Sequence, residues 1–160
     1  MGQRAETLAQ EFEQANREMI SAVEGLSESQ WQVLCTAEDW PVGLVAHHVG
    51  DDHALLSSAI QAVAIGLPMP SVTPELVDQM NSRHARKYAG CTMDETLQLL
   101  RKNGAGAAAI LRLLTDEQLD KPAPHPFRGG EAWGSEDLVR DVMIVHIQNH
   151  LQSIRQAVAG

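Results

Sequence analysis

Residues 135–160 read SEDLVRDVMIVHIQNHLQSIRQAVAG, and this stretch decides the fold class. Leu138, Val139, Val142, Met143, Ile147, Leu151, Ile154 and Val158 recur at steps of three and four, the period of a helix with one broad apolar face. Ser135, Glu136 and Asp137 offer a cap and an acidic first turn, so the spacing predicts a helix from Ser135 to Ala159. An apolar face that wide needs other helices to cover it.

The rest of the chain supplies them. Leu8, Phe12, Ala15, Met19 and Val23 share one face of a predicted helix over about Ala5–Leu26, which Gly25 and the Ser27–Ser29 cluster end. Asp39 as a cap and Pro41 in a first turn open a second helix from Pro41 to Ile65, and the sequence Gly66-Leu67-Pro68-Met69-Pro70 stops it. A shorter helix is predicted from Thr73 or Pro74 to about Tyr88, with Gly90 behind it. Thr92 and Glu95 form a capping box for Met93–Leu114, in which Gly104 and Gly106 either weaken the helix or let a neighbour approach closely. Lys121–Gly134, with its three prolines and three glycines, reads as a loop that is a candidate cover for a site. No run of alternating β-branched residues stands out, so the chain is expected to be all-α. It reads as a single domain over residues 1–160, a four-helix bundle whose short Thr73–Tyr88 helix lies on a long crossover between the second and third long helices.

Composition narrows the partners. A chain of 160 residues buries roughly 70% of its unfolded surface and needs neither disulfides nor a metal simply to fold. Its 12 Lys and Arg against 21 Asp and Glu give a net charge of −9, with no basic run to neutralise a phosphate backbone, so neither nucleic acid nor an anionic membrane is expected as a partner. Cys35 and Cys91 form no C-x-x-C pair, which fits a reducing, cytoplasmic setting. The charged start MGQRAETLAQEFEQ does not read as a signal peptide, and the uncharged Ala54–Leu67 stretch is too short to span a bilayer.

The chemistry lies in the seven histidines. His146 and His150 form an H-x-x-x-H pair, and four residues advance a helix by about 400°, leaving the rings about 40° apart and about 6 Å along one face. Both fall on the line Val139, Met143, His146, His150, Ser153, which points them into the bundle. His48 follows Leu44 and Val45 and precedes Asp52 and Leu55, so it faces inward too, while His47 and His53 are rotated away and His84 and His125 fall near or in loops, facing solvent. Three neutral imidazoles suit zinc, nickel, iron or copper and leave positions free for water or a thiol that the ion would acidify. Core histidines bonded to polar neighbours produce the same spacing. Gln148 and Ile147 do not supply the glutamate of an H-E-x-x-H protease helix. Asp52, one turn after His48, either holds an imidazole or serves as a base, or is a solvated carboxylate; Asn149 is expected at a helix contact, and Trp40 at the entry to the second helix.

The sequence Trp40-Pro41-Val42-Gly43-Leu44-Val45-Ala46-His47-His48 resembles the DinB/YfiT-like family, whose second helix opens on a tryptophan and carries a histidine eight residues later. The final-helix pair His146 and His150 and the middle element Asp78-Gln79-Met80-Asn81 match the family in order and spacing. The resemblance implies an up-down-down-up four-helix bundle, a divalent metal, usually zinc or nickel, on His48, His146 and His150, Asn81 at the pocket, and homodimers. It further implies a metal-dependent enzyme that activates water or a low-molecular-weight thiol for hydrolysis of, or transfer to, a small electrophilic substrate. The alternative is a non-catalytic metal- or small-molecule-binding stress-response module.

Overall fold

The computed structural model describes residues 2–68 and 72–160; Met69 and Pro70, read above as part of a helix stop, lie outside them. Four long helical segments form the bundle: α1 (Gln3–Glu24), α3 (Val42–Ala64), α5 (Met93–Arg112), and a final segment made of α7 (Ser135–Val139), a π turn (Arg140–Val145) and α8 (His146–Ala159). The one-turn helices α2 (Glu28–Trp31) and α6 (Asp116–Asp120) and the crossover helix α4 (Pro74–Tyr88) complete the α structure. Two small antiparallel pairs were not expected from the sequence, β1 (Leu34–Cys35) with β2 (Trp40–Pro41), and β3 (Pro122–Pro124) with β4 (Ala132–Gly134). Each is two or three residues long, too short for an alternating pattern to declare itself.

Contacts fix the helix directions. Along α3, Gly43, Gly50 and Ala64 meet Cys91, Asn103 and Gln118 in that order, so α3 and α5 run parallel. Along α1, Glu6 and Glu24 meet Arg112 and Arg101, so α1 runs against α5; Arg4 and Glu11 meet Glu136 and Arg140, so α1 runs with the final segment. The order is therefore up-down-down-up. Leu8, Phe12, Met19, Leu100, Leu111, Leu138, Met143, Ile147 and Ile154 fill the space between these helices and are almost wholly buried. Among the described residues, no helix is long and apolar enough to cross a membrane.

Caps follow the sequence reading at Thr92, where the Thr92 and Glu95 side chains answer one another, at Gly25 behind α1 and at Thr73 ahead of α4, and depart from it at Asp39 and Ser135. Asp39 does not cap α3; it sits at φ 57° in the turn between β1 and β2, and Pro41 precedes the first helical residue. Ser135 does not cap α7, because its hydroxyl donates to the Lys121 carbonyl at 2.6 Å.

A buried polar contact ties three helices at mid-height. The Asn16 amide on α1 donates to the Leu100 carbonyl on α5 at 3.1 Å, and its oxygen lies 2.8 Å from His53 Nε2 on α3, which donates to it. Gly104 makes room: a Cβ there would strike the Asn16 amide. Nothing approaches Gly106, so the close-approach reading holds for Gly104 alone. Gly43 plays the same part for the Trp31 ring, whose indole N–H reaches the Cys91 carbonyl at 3.2 Å. His53 is thus a buried structural group rather than a surface one.

Two outcomes follow. Gly104→Ala forces Asn16 to move and is expected to lower unfolding free energy by about 1–3 kcal/mol in urea titrations. Burial pushes His53 down to about 4, whereas an unfolded histidine binds its proton near 6.5. The unfolded chain binds more protons between those values, so stability is expected to fall by about 3 kcal/mol from this residue as pH drops through that window. His48 and His146 act in the same direction; His53→Gln, which cannot titrate, removes only its own share of the pH slope in denaturation curves.

Candidate metal centre

The site forms where α3 and α8 run antiparallel past one another. His48 comes from the second turn of α3 and His146 and His150 from the first turns of α8, and one ring nitrogen of each lies within 4.8 Å of the others. The rings stand nearly edge to face, with centroids 4.6–5.5 Å apart. Each side chain keeps a minor part of its surface open, 13% for His48, 22% for His146 and 18% for His150, so the cluster is reachable from solvent.

The π turn sets this exposure. On α periodicity the line Val139, Met143 continues to His146, His150 and Ser153, as the sequence reading has it. The core instead continues from Met143 to Ile147, Leu151 and Ile154, all buried. A π turn carries one residue more per hydrogen-bonded ring than an α turn, so everything after it is turned back by about one residue, roughly 100°. The two histidines therefore flank the core rather than enter it, on the side facing α3. Asn149, expected at a helix contact, is exposed.

Burial keeps the His48 and His146 imidazoles uncharged. His48 is pushed down to about 3 and His146 well below its ordinary value, in both cases chiefly by desolvation and then by the neighbouring histidines. Neutral imidazoles are the form that binds a metal ion. Asp52, one turn after His48, places Oδ2 3.2 Å from His48 Nε2 and 3.4 Å from His146 Nε2. Those separations match the roughly 3.3 Å between neighbouring donors on a tetrahedral ion with bonds of about 2.0–2.2 Å. Desolvation, and next the charge of Asp51, raise the Asp52 carboxyl to about 7.

Glu38, in the turn between β1 and β2, was not singled out in the sequence. Its Oε1 accepts from His150 Nδ1 at 2.8 Å, which leaves His150 Nε2 as the nitrogen free to meet an ion. The left-handed backbone at Asp39 reverses the chain there, so Glu38 and Trp40 both reach the cluster. Among the described residues, Glu38 Oε2 and His146 Nδ1 are buried without a hydrogen-bond partner. Polar atoms left open beside three converging imidazoles are what an added ion or its ligands would satisfy. The residues fit a divalent transition metal.

A second group of rings adjoins the triad. Trp40 meets His48 edge-on, with centroids 5.4 Å apart, and stacks on His84, which is itself 5.4 Å from His48. His84 Nδ1 lies 3.4 Å from the Asp51 carboxylate and its Nε2 3.3 Å from His47 Nδ1, while Tyr88 packs on both rings. His84 is therefore part of the site's surroundings and not solvent-facing. The triad's contact with α4 is made by His84; Asn81 lies one turn earlier on the same half-buried face. His125 is also buried, 2% exposed, and lies against Asp141 away from the triad.

The fold has solved counterparts. YfiT from Bacillus subtilis, described as a probable metal-dependent hydrolase with an unusual four-helix bundle topology, matches with a TM-score of 0.74 at 22% identity over 99% of this chain and 89% of that one. An uncharacterised protein from Clostridium difficile 630 matches at 0.68 and 18% identity over 98% of this chain and 96% of its own, and a protein from Streptococcus pneumoniae at 0.69 and 17% over 98% and 91%. At such identities the likeness is one of fold. No curated protein matches the chain. The family description that does match, over residues 11–154 and so across both α3 and α8, is that of the DinB superfamily, and the chain belongs to it.

Proposed function

We propose that the protein is a metal-dependent enzyme in which His48, His146 and His150 hold one divalent ion, zinc or nickel, and whose reaction is hydrolysis of, or thiol transfer to, a small electrophilic substrate. The observation that carries this reading is the convergence of three imidazoles, one ring nitrogen of each within 4.8 Å of the others, at a solvent-reachable edge of the bundle. The description of YfiT as a probable metal-dependent hydrolase on the same fold supports it and favours water over a thiol as the attacking group. A bound ion there supplies Lewis acidity, which lowers the pKa of a water or thiol sharing its coordination.

The chain's own groups do the rest. Glu38 fixes the tautomer of His150 and makes its free nitrogen a better donor. Asp52, with Oδ2 beside the ring nitrogens of His48 and His146, would take a proton at Oδ2 from the attacking group and return it to the leaving group. Trp40 and His84 close one side of the cluster to water. Among the described residues, no lysine or arginine side chain pairs with Glu38, Asp51 or Asp52. That arrangement fits a small neutral substrate better than a polyanion.

Elemental analysis of tag-free protein is expected to find about one transition-metal ion per chain, and none in His48→Ala or His146→Ala proteins that keep their helical circular dichroism. Wild-type protein that takes up neither zinc nor nickel overturns the proposal. Glu38→Ala is expected to weaken metal binding by about 10–100-fold, with a smaller effect for Glu38→Gln, which keeps an acceptor oxygen. Asp52→Asn is expected to retain the metal and lose about 10²–10⁴-fold in turnover of ester, amide and thiol-acceptor panels.

A further inference from the structure

The segment Lys121–Gly134 folds into the β3–β4 hairpin, and its tip is held by one buried side chain, His125. The His125 backbone N–H extends the ladder to the Glu131 carbonyl at 2.8 Å, and its Nδ1 accepts from the Phe127 N–H at 3.2 Å. With Nδ1 an acceptor, Nε2 carries the proton and donates to Asp141 Oδ2 at 2.8 Å. Trp133 closes over the ring with centroids 4.7 Å apart, and Arg128 lies over Trp133.

Asp141 is the second residue of the π turn that ends at Val145, immediately before His146. The residue ahead of it, Arg140, is tied to Glu11 on α1 and to Glu136 on α7. Both leading side chains of the turn are thus clamped, one to the bundle and one to the hairpin. The same hairpin reaches the crossover, where the Val72 N–H donates to the Pro126 carbonyl at 3.3 Å just ahead of α4, the helix that bears His84. A π turn is less favourable than α continuation and persists only where its surroundings hold it.

Resting on the metal reading above, we infer that His125 and Asp141 are positioning residues of the metal centre. Their bond fixes the π turn, and the π turn sets the rotation at which α8 presents His146 and His150 to His48. Neither residue contacts the triad. Without the bond, the turn relaxes among alternative ring closures and the two ligand nitrogens spread away from His48, so metal binding weakens while the bundle core, built on Ile147, Leu151 and Ile154, remains.

The test measures zinc affinity by competition with a chromophoric chelator, far below each protein's unfolding temperature, in wild type, His125→Ala, Asp141→Ala and Asp141→Asn. The two alanine variants are expected to bind zinc about 10-fold or more weakly, and Asp141→Asn, whose amide oxygen still accepts from His125, to stay close to wild type. Ser135→Ala is the control: it breaks the Ser135 to Lys121 bond at the other end of the hairpin and lowers thermal stability without changing zinc affinity. Amide exchange of metal-free Asp141→Ala, half-buried and on the rim, is expected to rise across residues 140–150 and not in α5, which holds even if His125→Ala does not fold. Wild type that binds zinc together with a folded Asp141→Ala of equal affinity and unchanged exchange overturns this inference alone. Wild type that binds neither zinc nor nickel overturns the metal reading instead, whatever the exchange data show.

Discussion

Neighbouring helices that run in the same direction cannot be joined by a short turn, and in this bundle α3 and α5 are such a pair. With 23 residues, α3 is roughly 34 Å long, so the chain leaving Ala64 has to travel back about that distance before α5 begins at Met93. The return contains α4, whose 15 residues cover roughly 22 Å of it. None of its side chains is buried. Its half-buried face meets the N-terminal part of α3, where His47, His48 and Asp51 lie, and so brings His84 and Tyr88 beside the triad. The crossover that the helix directions demand thereby supplies one wall of the site.

Close packing of other helices against the parallel pair has its own requirement. Gly43 and Gly104 let Trp31 and Asn16 approach helix backbones where any Cβ would intrude, and the Asn16 amide then satisfies both a backbone carbonyl on α5 and His53 on α3. Polar groups at that depth are tolerated because each has a partner. The triad differs. His48, His146 and His150 face one another, and desolvation together with the neighbouring rings makes protonation of His48 and His146 costly, while the His146 Nδ1 is left without a partner. The chain resolves its polar groups at mid-bundle and leaves them open at the edge.

Much of this was legible in the sequence, for reasons that differ by element. The four long helices show because a wide apolar stripe repeats over five or more turns, and α4 shows through Thr73, Pro74 and its basic last turn. The histidine cluster shows because i, i+4 spacing on one helix and an inward position on another are local properties. Glu38 did not show: it stands 112 positions from His150, in a stretch read as a helix cap, and only the β1–β2 turn brings them together. His84 and His125 were read as solvent-facing since sequence position near a loop says nothing of which tertiary contacts the loop makes.

The rotation of α8 was misread for a more instructive reason. In an uninterrupted α-helix the apolar residues of 138–158 cannot all lie on one line, since Val139, Met143, Ile147 and Leu151 are separated by three consecutive steps of four, a drift of about 40° at each step. A broad stripe absorbs such drift, which is why the sequence alone lets both the apolar residues and the histidines face inward. Packing does not absorb it. Leu138 and Val139 at one end and Leu151 and Ile154 at the other are all buried in the same core, and the chain reconciles them by taking up one residue in the π turn. Three successive four-residue steps, with a charged pair such as Arg140 and Asp141 inside the first of them, are therefore a signature of a register change. They leave His146 and His150 at the flank of the core, where an ion and a substrate can reach them.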